Sequence, residues 1–119
     1  MDDSRILSAI GLCVKAHKLI VGTDLVCEGL RHQGPNRIFL VVEAGDTSPA
    51  THKKITDKCR YYNVCKFRLE TDAVGLAHAV GKSGSTGVVG IADKSLSTVV
   101  KNALEKQSYV PDILPGDKN

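Results

Sequence analysis

Residues 38–42 read Ile-Phe-Leu-Val-Val. A strand with one wet face alternates apolar with polar side chains, whereas five apolar residues in succession suit a strand covered on both sides. The run therefore predicts a central strand in a sheet flanked by helices, with Phe39, Leu40 and Val41 in the interior.

Working upstream, Gln33-Gly34-Pro35-Asn36 breaks the chain ahead of this strand, and Leu25, Val26 and Leu30 mark a helix before the break. Gly22-Thr23 turns into that helix from a short buried strand, Lys18 to Val21. Ser4 is placed to cap a first helix carrying Ile6, Leu7, Ile10 and Val14. Downstream, Ser48-Pro49 is a cap followed by proline at the first helical position. The helix it opens contains Thr51 to Asn63, with Ile55, Cys59 and Tyr62 at core-facing spacing. Lys53, Lys54, Lys58 and Arg60 surround the rest of it, and Asp57 alone offsets them locally. After Val64, a third strand spans Cys65 to Leu69, and Thr71 or Asp72 opens a helix through Val74, Ala77 and Val80. The loop Lys82 to Gly87 precedes a strand from Val88 to Ala92, and a last helix runs from Ser95 to Lys106.

Strands alternating with helices through short connections specify the α/β class, with a mostly parallel or mixed sheet and helices on both faces. Residues 1–106 form one expected domain. From Gln107 onward, Pro111, Pro115, Gly116 and polar residues suggest a flexible, loosely attached tail to residue 119.

The chain has 119 residues, 42% of them hydrophobic, which suffices for one core. Aromatics are 4% and Trp is absent, so Leu, Val, Ile and Ala must build that core. A net charge of +3 and a pI near 8.7 are compatible with RNA but far from a disordered basic arm. The Met-Asp-Asp-Ser start lacks the pattern of a secretory signal, and no later stretch is apolar enough to span a membrane, so a cytoplasmic protein is expected. Cys13, Cys27, Cys59 and Cys65 should then be reduced, and their spacing matches no zinc arrangement. His17, His32, His52 and His78 are scattered, and no Ser or Cys sits in a nucleophile-elbow context. Gly81, Gly84 and Gly87 follow a helix and precede a strand, the reverse of the order that aims a helix N-terminus at phosphate. Neither an enzyme, a metal nor a cofactor is expected.

In folds of this class ligands gather on loops and helix starts. Two such features stand out: the helix start Gly22-Thr23-Asp24, with unpaired backbone N–H groups, and the glycine-rich loop before the last strand. Each also has a structural reading. In that reading Gly22 ends a strand, Thr23 caps a helix, and Lys15 and Lys18 serve the C-terminal end of the first helix.

Several segments together carry a family resemblance: Ile10-Gly11-Leu12, Ala16-His17-Lys18-Leu19-Ile20-Val21-Gly22, Asp46, Lys53-Lys54-Ile55-Thr56-Asp57-Lys58-Cys59, Tyr61-Tyr62-Asn63-Val64 and Leu76-Ala77-His78-Ala79-Val80-Gly81-Lys82. Over roughly residues 5 to 104 the chain resembles the L-seven-Ae / L-thirty-e type ribosomal-protein family, small bacterial members above all. The resemblance implies a three-layer α-β-α sandwich with a central mixed four-stranded sheet. It also implies a non-catalytic, monomeric binder of structured RNA, ribosomal RNA or a kink-turn, associated with the ribosome or another RNA-protein particle. The implied RNA-binding residues are Lys15, Lys18, Gly22, Thr23, Asp24, Lys82, Ser83, Gly84, Ser85, Thr86 and Gly87, with Lys54 and Lys58 as an additional basic surface. The family's Gly-x-Asn-Glu-x-x-Lys pattern falls on Gly22, Asp24, Leu25 and Glu28, where only the glycine matches. Its acidic Ala-Glu-Asp turn falls on Ala44-Gly45-Asp46. These departures imply weaker kink-turn recognition than the full pattern gives. The alternative is a protein-interaction or small-ligand module on the same fold.

Overall fold

A computed structural model describes residues 2–116. Its elements follow in the order α1 (Ser4–Lys15), β1 (Leu19–Val21), α2 (Thr23–Leu30), β2 (Leu40–Glu43), α3 (Pro49–Tyr62), β3 (Cys65–Arg68), α4 (Ala73–Ala79), β4 (Val88–Ile91) and α5 (Lys94–Lys106). The four strands form one sheet in the order β1-β4-β2-β3. β2 runs parallel to β3 and antiparallel to β4, and β4 is antiparallel to β1, so the sheet is mixed. The period of two along each strand divides the core. Leu40 and Val42 join Phe67, Val89 and Ile91 beneath α1, α4 and α5, whereas Val41 and Val88 pack beneath α2 and α3. This is the α-β-α sandwich, with β2 inside it as its sequence demands.

Ile38 sets a close approach between layers. A Cβ on Gly29 of α2 or on Gly90 of β4 would stand 2.8 or 2.9 Å from its Cδ1, so both neighbours lack one. Ser48 caps α3 by accepting a hydrogen bond from the Thr51 N–H, and Asp72, the second of the two expected candidates, caps α4 through Gly75 N–H. Ile55 and Cys59 are fully buried on the sheet, with Tyr62 half-buried beside them.

Several local expectations need correction. β2 begins at Leu40 and ends on a charged residue, Glu43, while Phe39 is only half-buried, its ring facing the Arg37 guanidinium at 4.4 Å. β1 is an edge strand and correspondingly half-buried. Leu25 and Val74, both 63% exposed, lie on the outer faces of their helices. Ser4 is not a cap: its own N–H is received by Asp2 at 2.9 Å. Thr23 is the first residue of α2, and the N-cap position belongs to Gly22, whose φ of 106° is left to glycine at no steric cost.

The expected loose tail is tied down across its described part, and residues 117–119 lie outside the described residues. Ile113 is buried and its backbone pairs with Lys66 on the open edge of β3. Tyr109 donates to Asp3 at 2.9 Å and receives the Glu70 N–H at 2.8 Å. Asp3 also accepts both the backbone N–H and the hydroxyl of Thr71, so one buried carboxylate joins the start of α1, the turn before α4 and the C-terminal segment. Burial, with Asp3 beside it, pushes the Tyr109 phenol up to about 12. The sequence showed Pro and Gly here but not the strand edge awaiting cover.

Candidate nucleic-acid interface

Pairing register decides which expected contact residues meet. Val21 lies opposite Val89, and Gly22 N–H donates to the Val88 carbonyl at 2.9 Å, which sets the start of α2 beside the end of the 82–87 loop. Ala44 N–H donates to the Gly87 carbonyl at 2.8 Å, bringing the turn after β2 to the same end of the sheet. Thr86, buried, anchors the loop by donating its N–H to Ala73 at 2.9 Å. Lys82 to Ser85 are exposed, with Lys82 held to the far end of α4 through its N–H to the Ala77 carbonyl.

The basic helix arrives from the other side. Lys54 of α3 reaches across to Asp24, Nζ to Oδ1 3.0 Å, and this carboxylate raises the lysine pKa. Lys58 is exposed one turn further along α3, and the two lysines line one concavity on its outer side. Gly22, Thr23, Asp24, Lys54 and Gly87 are thus brought to one end of the sheet, with Lys58 one turn away along α3 and Thr86 buried beneath the loop. Lys15 and Lys18 do not: the Lys18 carbonyl receives the Ala92 N–H at the opposite end of β1, and Lys15 closes α1 there, bordering an open groove of about 870 Å³ between α1, α4 and α5. Sequence proximity of Lys18 to Gly22 hid the length of the intervening strand.

At the start of α2, the N-cap Gly22 brings no side chain to its first N–H groups. Those donors, at the positive end of the helix dipole, face outward where an anion or a base edge can be received. Asp24 supplies an acceptor next to them. Glu28 is paired with Arg31 at 3.3 Å, which offsets its charge on the helix surface. The second departure from the expected pattern has a steric cause, since a Cβ on Gly45 would collide with the Leu69 carbonyl oxygen. Asp46 of the same turn accepts the Ala73 N–H at 2.8 Å and fixes the start of α4.

Behind this surface lies a charged cluster that sequence reasoning missed. Glu43 and Lys66 are both fully buried, with Lys66 Nζ 2.5 Å from Glu43 Oε1 and 2.6 Å from Asp112 Oδ2. His52 Nδ1 lies 2.9 Å from Glu43 Oε1, the Thr47 hydroxyl donates to Oε2, and Arg68 approaches at 3.7 Å. Burial opposes ionisation of Glu43, but the hydrogen bonds from Lys66, Thr47 and His52 outweigh it and hold the carboxyl below its usual range. Glu43, His52 and Asp112 present three ligand-type atoms within 4.8 Å of one another. The Lys66 ammonium already stands between the two carboxylates and supplies the positive charge there. A lone charge ending an apolar strand was the available signal in sequence. The four cysteines are free and buried, and burial pushes the thiols of Cys13 and Cys59 up to about 11 and about 12, which makes them poor nucleophiles.

Comparison with known proteins identifies the family and the fold. The model of the ribosomal protein L7Ae/L30e/S12e/Gadd45 family matches residues 4–101. A relative named RNA-binding protein YlxQ from Bacillus subtilis (strain 168) is 35% identical over 96 residues, covering 81% of this chain and 91% of the relative. The protein of the same name from Enterococcus faecium is 33% identical over 101 residues, covering 85% and 92%. Among solved structures, a Bacillus halodurans protein of unknown function matches with a TM-score of 0.76 at 26% identity, over 85% of this chain and 97% of that one. The Giardia lamblia 15.5kD RNA binding protein shares the fold, with a TM-score of 0.69 at 18% identity over 87% and 85%.

Proposed function

Because the chain belongs to the ribosomal protein L7Ae/L30e/S12e/Gadd45 family, we propose that it is a non-catalytic RNA-binding protein whose contact surface is the end of the sheet where α2 begins. The observation that carries this reading is the meeting of three unlike elements there: the uncapped N–H groups at Gly22, the Gly87 end of the loop, and Lys54 of α3. The backbone donors and the open space at Gly22 admit close approach of a phosphate or an extruded base, and Lys54 and Lys58 neutralise backbone charge without reading sequence. The names of the two bacterial relatives support the same chemistry. A structured RNA with a sharp bend, such as a kink-turn in ribosomal RNA, suits a surface made of a helix start and a loop at one end of a rigid sheet. Free cysteines are in keeping with a reducing, cytoplasmic setting.

The test is titration of the protein against a kink-turn RNA and a plain duplex at two salt concentrations. Tighter binding of the kink-turn, with affinity falling linearly in the logarithm of salt, is the expected result. Equal binding of both RNAs would remove the kink-turn and leave a general RNA binder. Absence of salt-dependent binding to either would overturn the RNA reading in favour of a protein-interaction or small-ligand module.

A further inference from the structure

The chain has three tyrosines and two phenylalanines. Phe67 is buried, and Phe39, Tyr62 and Tyr109 are half-buried, but Tyr61 is 78% exposed. It stands near the end of α3 against Tyr62, ring centroids 4.8 Å apart and planes at 86°. Tyr62 packs against the core and so fixes this pair. Whichever ring supplies the edge, at least one face of Tyr61 is left open. Lys54, Asp57, Lys58, Tyr61 and Tyr62 line a concavity of about 590 Å³. Asp57 is engaged by Lys53 at 2.7 Å and Arg60 at 3.6 Å, which offsets its charge. Lys58 has no ion-pair partner among the described residues and lies one helical turn from both Lys54 and Tyr61 on the same face of α3.

An open aromatic face beside two lysines is the chemistry that receives an unpaired base and its phosphates. Lys54, through its contact with Asp24, makes the concavity continuous with the start of α2. We propose that Tyr61 is a stacking platform for a single-stranded RNA segment leaving the structured element bound at Gly22, with Lys58 and Lys54 on the phosphates along the way. The inference rests on the RNA-binding reading and extends it from structured to adjacent unpaired RNA.

Binding is compared for one kink-turn RNA with and without a single-stranded extension of about six uridines, within the span such grooves cover. The extension should tighten binding by the wild type. Tyr61→Ala should cost the extended RNA about 5- to 150-fold in affinity, the range of one lost stacking contact, and leave the unextended RNA unchanged. Tyr61→Phe should retain the gain, because the ring face remains. An extension that adds nothing to wild-type binding, or a gain that survives Tyr61→Ala, would overturn the platform while leaving the Gly22 site standing. Equal loss in Tyr61→Phe and Tyr61→Ala would assign the effect to the hydroxyl and overturn stacking. Competition for the surface by polyglutamate but not by oligouridylate would assign it to a protein instead. If neither RNA binds the wild type in a salt-dependent way, the RNA reading fails first, and the platform with it.

Discussion

Two sets of charges lie back to back in this molecule, and they are built in opposite ways. Under the first part of α3, Glu43, Lys66 and Asp112 are locked together, two of the three side chains with no solvent contact. On the outer side of the same helix, Lys54 and Lys58 are exposed, and Lys54 holds a carboxylate that is itself 91% exposed. A buried ion that loses its partner cannot be rescued by water, whereas an exposed pair exchanges partners at little cost. The first arrangement fixes the fold, and the second stays on the surface proposed above to meet RNA.

The sharpest way to break this contrast is Lys66→Ala, which leaves Glu43 buried and without its ammonium. It should destabilise the protein by about 3 to 5 kcal/mol, measured by urea denaturation, and joint replacement of Glu43 and Lys66 by Leu and Met should recover much of the loss. A cost no larger than the roughly 1 kcal/mol of a surface pair would erase the distinction.

On the outer side, the combined change Asp24→Asn, Leu25→Glu and Glu28→Lys restores the full family pattern at the start of α2. Kink-turn affinity should rise by about 1 to 3 kcal/mol, roughly 5- to 150-fold, with duplex binding less affected and urea stability nearly unchanged. If the unmodified protein already binds a kink-turn at nanomolar concentration and the change adds nothing, the helix start is not the reading head.

Acid separates the two sets by another route. Glu43 has its pKa lowered in the folded state, so its contribution to stability is full above the unfolded-state value near 4.3 and is lost as pH falls through the depressed folded-state value. Stability curves between neutral pH and strong acid should therefore fall less steeply in Glu43→Gln than in the wild type. Identical acid slopes would show that the buried carboxylate does not carry this dependence.

The smallest expected effect is that of Lys54→Ala or Lys58→Ala. Each should flatten the dependence of log affinity on log salt by about one unit where the lysine meets a phosphate, with no change in the urea midpoint. A shift in that midpoint comparable to that of Lys66→Ala would give these lysines a structural role.

Much of the architecture was legible because it rests on local chemistry. The apolar residues Leu40, Val41 and Val42 are satisfied between two helical layers, though Phe39 ahead of them is not, Ser48-Pro49 marks a helix start by its own hydrogen bonding, and Ile55 with Cys59 names the buried face of α3. Part of the candidate surface was legible for the same reason, since Gly22 is visible as a helix start without a capping side chain.

What could not be read was anything that depends on which residues distant in the chain become neighbours. Lys18 is four residues from Gly22 yet lies at the other end of β1, while Lys54 is thirty residues from Asp24 and touches it. Leu25 continues an apolar line in sequence, but the turn of α2 points it to solvent. The buried lysine was hidden because Lys66 is tolerable in β3 only where Glu43 from β2 and Asp112 from the C-terminal segment both reach it. Residue type and spacing thus determined the layers, the helix starts and the open backbone positions, because these follow from hydrogen bonds and periodicity within a few residues. Strand order, and the packing of the C-terminal segment against β3, decided which charges were buried in pairs and which were left exposed, because the energy of a charge depends on its neighbours in space.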